Sequence, residues 1–350
     1  MSNNILNNDK MFLREINGDI FILGTNKYGL SLANWLIERN YKFKGFINDY
    51  VDDIEFEGYK IYKSTENFHN SHIINCIIEG RIIDAEHNIN SLKPKSHNHY
   101  FDFQKKFPDQ LLDIDYLENE HLLQSKDIDE IKNVLYDNRS KEEFISVLSF
   151  RKKRDINYLS GFKFRINEQY FEDFITFDSY PVFIDGGGYD GATSLRFAEL
   201  YPQYRRIYYF EPSDVWFKNS KENLSKLKNI EFFNCGLWNK DSQLKFNNTL
   251  GSASKLDNEG NTFIAVTSID RVIKEKVDYI KLDVEGAEYN TILGARKTIK
   301  KYKPKLAICV YHNSLDFIRI PRILLSFNPD YKIYFRHYTQ GLFESIMYFV

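Results

Sequence analysis

Hydrophobic runs alternate with helical patterns in the first third of the chain. The run DIFILG at residues 19–24 predicts a buried strand, and residues 27–39 space their apolar side chains as an amphipathic helix does. A strand, a helix and a strand in close succession predict a parallel βαβ arrangement. Residues 10–105 are therefore predicted to form a small Rossmann-like α/β domain. Its further predicted strands lie at residues 43–47, 72–78 and 99–103.

The same alternation resumes after residue 180. Several of the apolar runs there are separated by helical patterns, at residues 194–200, 215–227 and 289–301. Seven strands with interleaved helices predict a doubly wound α/β sheet, which we assign to a domain spanning residues 169–350. The seven predicted strands lie at residues 182–184, 207–210, 230–233, 277–282, 306–311, 333–335 and 346–350.

Residues 106–168 have a different character, because they are rich in charge and lack a strand pattern. Residues 127–150 carry a helical pattern, so the segment is predicted to be a helical connector. We expect its stretch 108–155 to contribute few contacts to the second core. A chain that begins near Asn157 is then expected to fold and to keep its binding site.

Composition narrows the class of protein. The 350 residues exceed what one core usually holds, and 43% hydrophobic residues favour packed cores over disorder. A net charge of -2 provides no overall basic field, so binding to nucleic acid is not favoured. Three separated cysteines cannot build a disulfide framework. The polar N-terminus lacks a signal peptide, and no uncharged apolar run reaches the ~18 residues that span a bilayer, so we expect a soluble, cytoplasmic protein.

The strongest chemical motif is VFIDGGGYDGATS at residues 182–194. Glycines after a buried strand let the backbone turn tightly and approach a ligand. Glu211 stands 20 residues after Gly191, at the end of the next strand, where an acid binds a ribose diol. The alternative interpretation is a glycine turn that serves only helix–strand packing.

Charge distinguishes between the two cofactors that such a loop suits. Carboxylates at Asp185 and Asp190 would repel the pyrophosphate of NAD. They would suit S-adenosylmethionine, which carries an ammonium group and a sulfonium centre and lacks phosphate. The sequence therefore predicts S-adenosylmethionine as the cofactor.

Four blocks of this region resemble methyltransferases of the FkbM family. They are FIDGGGYDGATS, YYFEP, DYIKLDVEGAEYNTILGA and KPKLAICVYH, in that order. The resemblance implies a class I methyltransferase sheet whose last strand is antiparallel, and methyl transfer to oxygen, often on sugars. It implies cofactor contacts at Asp185, Gly187, Gly191 and Glu211. The triple glycine departs from the bulkier residues of many members. The remaining predicted cofactor residues are Gly186, Gly188, Asp190, Thr193, Pro212, Gly236 and Asp283.

Polar residues at neighbouring strand ends are candidates for the chemistry. Asp283 and Glu285 follow the fourth core strand, and His312 ends the fifth, at the edge where doubly wound sheets bind ligands. We predict these three as catalytic, with His312 as the proton acceptor held by a neighbouring carboxylate. A carboxylate as the base, and a divalent metal held by the same three residues, are the alternatives; the prediction is that there is no metal. Glu288 is expected to begin the next helix.

The acceptor is expected to contact Tyr170, Arg336, His337 and Tyr338. Tyr170 lies in EQYF, which resembles a segment that precedes the core in a subset of the family. The other three belong to RHYT, after the sixth predicted strand. The acceptor itself is expected to be a small molecule or a glycan, and an oligomer is compatible with the sequence.

The N-terminal domain carries a degenerate dinucleotide fingerprint. Gly24, Asn26 and Gly29 replace the usual three glycines, and Asp49 stands where a ribose acid belongs. Three interpretations stay open: a nucleotide or nucleotide-sugar site, a docking module, and a fold kept only for packing.

The leading function is an O-methyltransferase acting on a carbohydrate or related hydroxylated acceptor in glycan or polysaccharide biosynthesis. The alternatives are a nicotinamide-dependent sugar oxidoreductase that uses the N-terminal domain and an inactive glycan-assembly scaffold.

Overall fold

A computed structural model describes residue 16 and residues 18–117, 119–247, 255–256 and 262–350. The density of contacts divides the chain into two units. The first contains the described residues through Asp115, with Ser146–Phe164 and Thr339–Leu342. The second contains Tyr116–Ile145, Arg165–Tyr338 and Phe343–Val350. Among the described residues, no helix has the length and apolar character needed to cross a bilayer.

The described part of the first unit contains a six-stranded sheet of order β3-β4-β2-β1-β5-β6. Its central strand β1 pairs in parallel with β2 and β5, as the sequence pattern predicts. The strands are β1 Asp19–Leu23, β2 Lys42–Ile47, β3 Glu55–Phe56, β4 Tyr59–Tyr62, β5 His72–Asn75 and β6 Ser96–His99, and the helices are α1 Lys27–Glu38, α2 Ile82–Leu92 and α3 Tyr100–Lys106.

The predicted strand at residues 99–103 is wrong, because β6 ends at His99 and α3 follows immediately. The His99 ring accepts a hydrogen bond from the backbone N–H of Phe101, and Asp102 accepts one from the N–H of His99. This reciprocal cap starts a helix, and the alternation of apolar residues alone does not reveal it.

The described part of the second unit contains a seven-stranded sheet of order β16-β17-β15-β14-β7-β8-β9. All seven predicted strands are confirmed. The strand β17 runs antiparallel to both of its neighbours, as the family resemblance implies. The strands are β7 Val182–Gly186, β8 Arg206–Phe210, β9 Ile230–Phe233, β14 Tyr279–Leu282, β15 Lys305–Cys309, β16 Ile333–His337 and β17 Ser345–Phe349.

A second, smaller sheet in this unit was not predicted. Its described strands are short. The side chain of Phe263 in one of them is exposed, so that strand is not the continuous buried apolar run by which a strand is predicted from sequence. They lie in the order β10-β13-β11-β12. The bounds are β10 Gly236–Leu237, β11 Ser242–Asn247, β12 Lys255–Leu256 and β13 Thr262–Thr267.

Two of the predicted helices after residue 120 are each split in two. The pattern at residues 127–150 breaks because the N–H of Tyr136 leaves the helical path and donates to the carbonyl of Ile333. The described helices are α4 Ser125–Val134, α5 Asn138–Lys153, α6 Ala192–Leu200, α7 Asp214–Asn223, α8 Ile269–Val272, α9 Glu288–Gly294, α10 Arg296–Tyr302 and α11 Asp316–Phe327.

The expectation that the connector contributes few contacts to the second core is wrong. Residues 116–145 belong to the second unit, where Asp137 binds the guanidinium of Arg336 at 2.7 Å. Arg336 is only 4% exposed, and its guanidinium also donates to the Ser140 hydroxyl at 2.8 Å. A chain that begins near Asn157 would lack these partners.

Replacing Asp137 by alanine is expected to lower the free energy of unfolding by about 2–4 kcal/mol, because a buried guanidinium then loses its nearest counter-charge. Burial opposes the charged carboxylate, but hydrogen bonds from Arg336 and Ser140 lower the pKa of Asp137 to about 2. This stabilisation is therefore complete above pH ~4 and is lost as the pH falls through about 2.

Urea unfolding of the two proteins at pH 7 measures the loss. Asp330→Ala is the matched control, because its ion pair with Lys303 is exposed and should contribute little. Equal midpoints for Asp137→Ala and the wild type would contradict the expectation.

Candidate functional site

The loop after β7 begins the site. The backbone N–H groups of Gly187 and Gly188 both donate to the carbonyl of Phe210, at 3.0 and 2.9 Å, which ties the loop to the end of β8. Gly187 has a φ of 73°, and a Cβ there would lie 1.8 Å from the carbonyl oxygen of Asp283. A Cβ at Gly188 would meet the ring of Tyr209 at 2.0 Å. The chain's own packing thus requires these glycines, whatever ligand binds beside them.

Glu211 lies at the end of β8, as predicted, and is 7% exposed. Its two carboxylate oxygens accept hydrogen bonds from the N–H groups of Tyr189, at 2.9 Å, and Ser213, at 2.8 Å. Burial raises the pKa of Glu211 to about 7. A carboxylate has about four acceptor positions, so this side chain shapes the loop and keeps capacity for the hydroxyls of a ribose.

The other predicted cofactor residues surround this loop. Asp190 accepts a hydrogen bond from the N–H of Ala192, the first residue of α6, at 2.9 Å, and Gly191 is the N-cap of that helix with a φ of 89°. A Cβ at Gly236 would lie 3.9 Å from Cβ of Pro212, which places these two residues side by side. Gly186 ends β7, where a Cβ would press on Leu282.

Lys281 is a central residue that the sequence reading missed. Asp185 is fully buried, and its carboxylate lies 3.2 Å from Nζ of Lys281, which is 2% exposed. The same Nζ donates to the carbonyl of Gly187 at 2.6 Å, and the Ser194 hydroxyl donates to Asp185 at 2.7 Å. Asp185 therefore fixes the loop through an internal ion pair. The feature of the sequence that could have revealed this role is a lysine within the otherwise apolar strand YIKL.

Asp283, Glu285 and His312 come together at the carboxyl edge of the sheet. Nε2 of His312 lies 3.5 Å from Oδ1 of Asp283 and 3.4 Å from Oε2 of Glu285. Nδ1 of the same ring lies 2.8 Å from Oε1 of Glu288. Glu288 begins α9 as expected, and it is also the carboxylate that orients the histidine. We call these four residues the acidic cluster.

Electrostatics within the acidic cluster are strongly coupled. Burial opposes a charge on His312, but the carboxylates of Glu285, Glu288 and Asp283 outweigh it and raise its pKa to about 10. Burial raises the pKa of Glu285 to about 7. Burial would also raise the pKa of Asp283, but the charges of Lys281 and His312 outweigh burial and lower that pKa.

Two tyrosines hold the carboxylates in place. The Tyr116 hydroxyl donates to Glu285 and the Tyr170 hydroxyl donates to Asp283, each at 2.9 Å. Tyr170 was predicted as an acceptor contact, whereas Tyr116 lies in the predicted connector and was missed. Tyr170 also borders a cavity of about 480 Å³, whose other lining residues are Ile166, Asn167, Gln169, Phe171, Ala192, Thr193 and Arg196.

The structure corrects the prediction that the three residues after the sixth predicted strand contact the acceptor. Strand β16 continues to His337, so Arg336 and His337 are ladder residues opposite Ile346 and Ser345. Arg336, His337 and Tyr338 are at most 4% exposed. Arg336 is bound to Asp137, the His337 ring to Ser345, and the Tyr338 hydroxyl to Glu172. These partners give the three side chains structural roles.

The polar groups of the dinucleotide fingerprint in the first unit form hydrogen bonds within the chain itself. Oδ1 of Asn26 accepts hydrogen bonds from the N–H groups of Tyr28 and Gly29, at 3.0 and 2.9 Å, and so caps α1. Those donors are the ones that a pyrophosphate would use. Asp49 likewise accepts from the N–H of Ser64 at 2.8 Å. This geometry favours the packing interpretation of the fingerprint.

Comparison with known proteins gives consistent matches. A family model described as the methyltransferase FkbM domain matches residues 185–340. A 2-O-methyltransferase, NoeI of Sinorhizobium fredii (strain NBRC 101917 / NGR234), is 25% identical over a region covering 35% of this chain. That region spans 60% of the length of NoeI. A crystal structure of the methyltransferase FkbM from Methylobacillus flagellatus KT has a TM-score of 0.75 and 21% identity, over 97% of this chain and 92% of that chain.

Proposed function

We propose that this chain, whose residues 185–340 match the methyltransferase FkbM domain, uses S-adenosylmethionine to methylate a hydroxyl oxygen of a carbohydrate or related acceptor. When bound, S-adenosylmethionine supplies an electrophilic methyl group on a sulfonium centre. The chain's own residues contribute the binding site, the alignment of the acceptor and the removal of its proton.

The loop after β7 fits this cofactor by its charge. Glu211 and Asp190 bring two carboxylates to the loop, and the Nζ of Lys281 is already used by Asp185 and the carbonyl of Gly187. Such a surface suits ribose hydroxyls and a cationic ligand better than a phosphate. In this proposal Glu211 accepts hydrogen bonds from the ribose, and Asp185 acts by fixing the loop.

Glu211→Ala is expected to weaken the affinity for S-adenosylmethionine by ~1–3 kcal/mol, the scale of a hydrogen bond to a charged group. Because the ionised form is the acceptor and the pKa is about 7, wild-type affinity should fall as the pH drops from 8 to 6, by roughly tenfold. Calorimetric titration at several pH values measures both effects.

Glu222→Ala is the matched control, because Glu222 is an exposed glutamate at the end of α7. It should bind the cofactor as the wild type does at every pH. If Glu211→Ala bound with unchanged affinity, the assignment of the ribose to Glu211 would be refuted.

One observation carries the acceptor proposal: Nε2 of His312 has no hydrogen-bond partner and faces two carboxylates beside the glycine loop. Asp283 and Glu285 keep side-chain exposures of 24% and 20%, so an acceptor can reach them while His312 stays buried. Paired carboxylates accept hydrogen bonds from neighbouring hydroxyls, which supports a sugar-like acceptor. The acidic cluster would align the hydroxyl and promote the loss of its proton.

Transfer of labelled methyl groups tests the proposed reaction. The full chain is incubated with methyl-labelled S-adenosylmethionine and a panel of sugars, nucleotide sugars and oligosaccharides. The products are then analysed by mass spectrometry and NMR. An O-methyl ether on one class of acceptor is expected. Transfer to nitrogen or carbon, or to no hydroxylated acceptor under any condition, would overturn the proposal.

A further inference from the structure

Three potential ligand atoms of the acidic cluster converge at the spacing of a metal site. One ligand atom from each of Asp283, Glu285 and His312 lies within 4.8 Å of the other two. The nitrogen is 3.4 and 3.5 Å from the two oxygens. Ligands bound to one ion at about 2.1 Å lie about 3.0 to 3.5 Å apart, so the side chains need little rearrangement to share an ion.

The histidine has the orientation of a metal ligand. Its side chain is 1% exposed, and Nδ1 lies 2.8 Å from Glu288, whereas Nε2 has no hydrogen-bond partner. An N–H donated from Nδ1 to Glu288 directs the Nε2 lone pair at the other two carboxylates, as in carboxylate–histidine–metal arrangements. A charged hydrogen bond from Nε2 would be about 2.7–2.9 Å long, which is shorter than either distance to the carboxylates.

Each ligand also has a partner that holds it. Tyr170 donates to the second oxygen of Asp283, Tyr116 donates to Glu285, and Glu288 accepts from His312. Tyr116, Tyr170 and Glu285 adopt positive φ values of 62°, 69° and 52°, which are costly for residues with a side chain. Such outer partners and such local strain are typical of preorganised metal and active sites.

We propose that Asp283, Glu285 and His312 bind one divalent cation of the Mn²⁺ or Mg²⁺ class, contrary to the expectation of no metal from the sequence. Two carboxylates and one imidazole suit such ions, and the exposed sides of Asp283 and Glu285 leave positions for water and a substrate hydroxyl.

The role of this ion in catalysis rests on the proposed function. An ion at this place stabilises the negative charge on the acceptor oxygen and lowers the pKa of its hydroxyl, so that the proton can pass to water. His312 is then a ligand rather than the proton acceptor.

Mn²⁺ binding tests the site without reference to turnover. The full chain is treated with a chelator, exchanged into metal-free buffer and titrated with Mn²⁺ by calorimetry and by electron paramagnetic resonance. One ion per chain is expected for the wild type. Asp283→Asn and His312→Ala should weaken the affinity at least ~100-fold, and Glu288→Gln by ~10–100-fold. Glu222→Gln, on the exposed end of α7, should bind as the wild type does.

Circular dichroism and the urea midpoint show whether each variant has kept its fold, because Asp283 is itself a predicted cofactor residue. Loss of Mn²⁺ binding in variants that stay folded supports the site. A wild type that binds no Mn²⁺, or equal binding in Asp283→Asn and His312→Ala, overturns it. Methyl transfer that persists in metal-free buffer overturns the ion's role and leaves the proposed function standing. Specific Mn²⁺ binding without O-methyl transfer to any acceptor supports the site and refutes the proposed function instead.

Discussion

Replacing His312 by alanine is expected to lower the turnover by ~10²–10⁴-fold and to leave the affinity for S-adenosylmethionine unchanged. The imidazole lies among three carboxylates, and its Nε2 faces the two that an acceptor can reach. With a pKa of about 10 the ring carries its proton near neutral pH, so it serves the acceptor by holding Asp283 and Glu285 in place or by binding the ion that stabilises the charge, and alanine does neither. Glu211 follows β8 and accepts its hydrogen bonds from Tyr189 and Ser213, which lie outside the acidic cluster, so it should bind the cofactor as before.

Methyl-transfer rates and calorimetric affinities, measured on the same preparations, separate these two effects. His87→Ala is the matched control, because His87 is an exposed histidine of the first unit. It should retain wild-type turnover. If His312→Ala keeps most of the activity while Asp283→Asn loses it, the essential group is the carboxylate and not the imidazole.

Replacing Lys281 by methionine is expected to destabilise the second unit by about 3–5 kcal/mol and to abolish cofactor binding. Asp185 is fully buried, so removal of its partner leaves a carboxylate without a compensating charge. The carbonyl of Gly187 loses its donor at the same time, and this carbonyl belongs to the loop on which the cofactor should bind. Stability and binding should therefore fail together.

Denaturant unfolding, with cofactor titration at low denaturant, measures both losses. The double variant Lys281→Met/Asp185→Leu should recover part of the stability, because it removes the buried charge that the single variant leaves behind. Lys276→Met removes an exposed lysine that pairs with Asp278 and should change the stability less. A Lys281→Met protein as stable as the wild type would show that the buried pair does not support the fold.

The parts predicted from sequence are those encoded in local patterns. The seven strands of the second unit are continuous apolar runs, so their number and approximate positions could be predicted. The glycine loop, Glu211 and the FkbM resemblance lie in short uninterrupted blocks, and the resemblance is confirmed by the family match over residues 185–340. Local patterns also placed Asp283, Glu285 and His312 at neighbouring strand ends.

The parts that could not be predicted depend on contacts between residues distant in sequence. Tyr116 stands 169 positions before Glu285, in a segment whose composition indicated a connector, yet its hydroxyl holds that carboxylate. Arg336 looked like a pocket residue because nothing nearby in sequence reveals its partner Asp137, 199 positions away. The role of Lys281 depends on Asp185, 96 positions earlier. A polar side chain in a strand can be interpreted only when its partner is known.

Calorimetric titration of the full chain with S-adenosylmethionine and with NAD, in parallel, tests the central claim most directly. The glycine loop, Glu211 and the buried Asp185–Lys281 pair predict one site for S-adenosylmethionine, weakened in Glu211→Ala. The capped helix of the first unit predicts no binding of NAD, because Asn26 already uses the donors that its pyrophosphate would need. Binding of NAD without binding of S-adenosylmethionine would contradict the assignment of this chain's activity to methyl transfer.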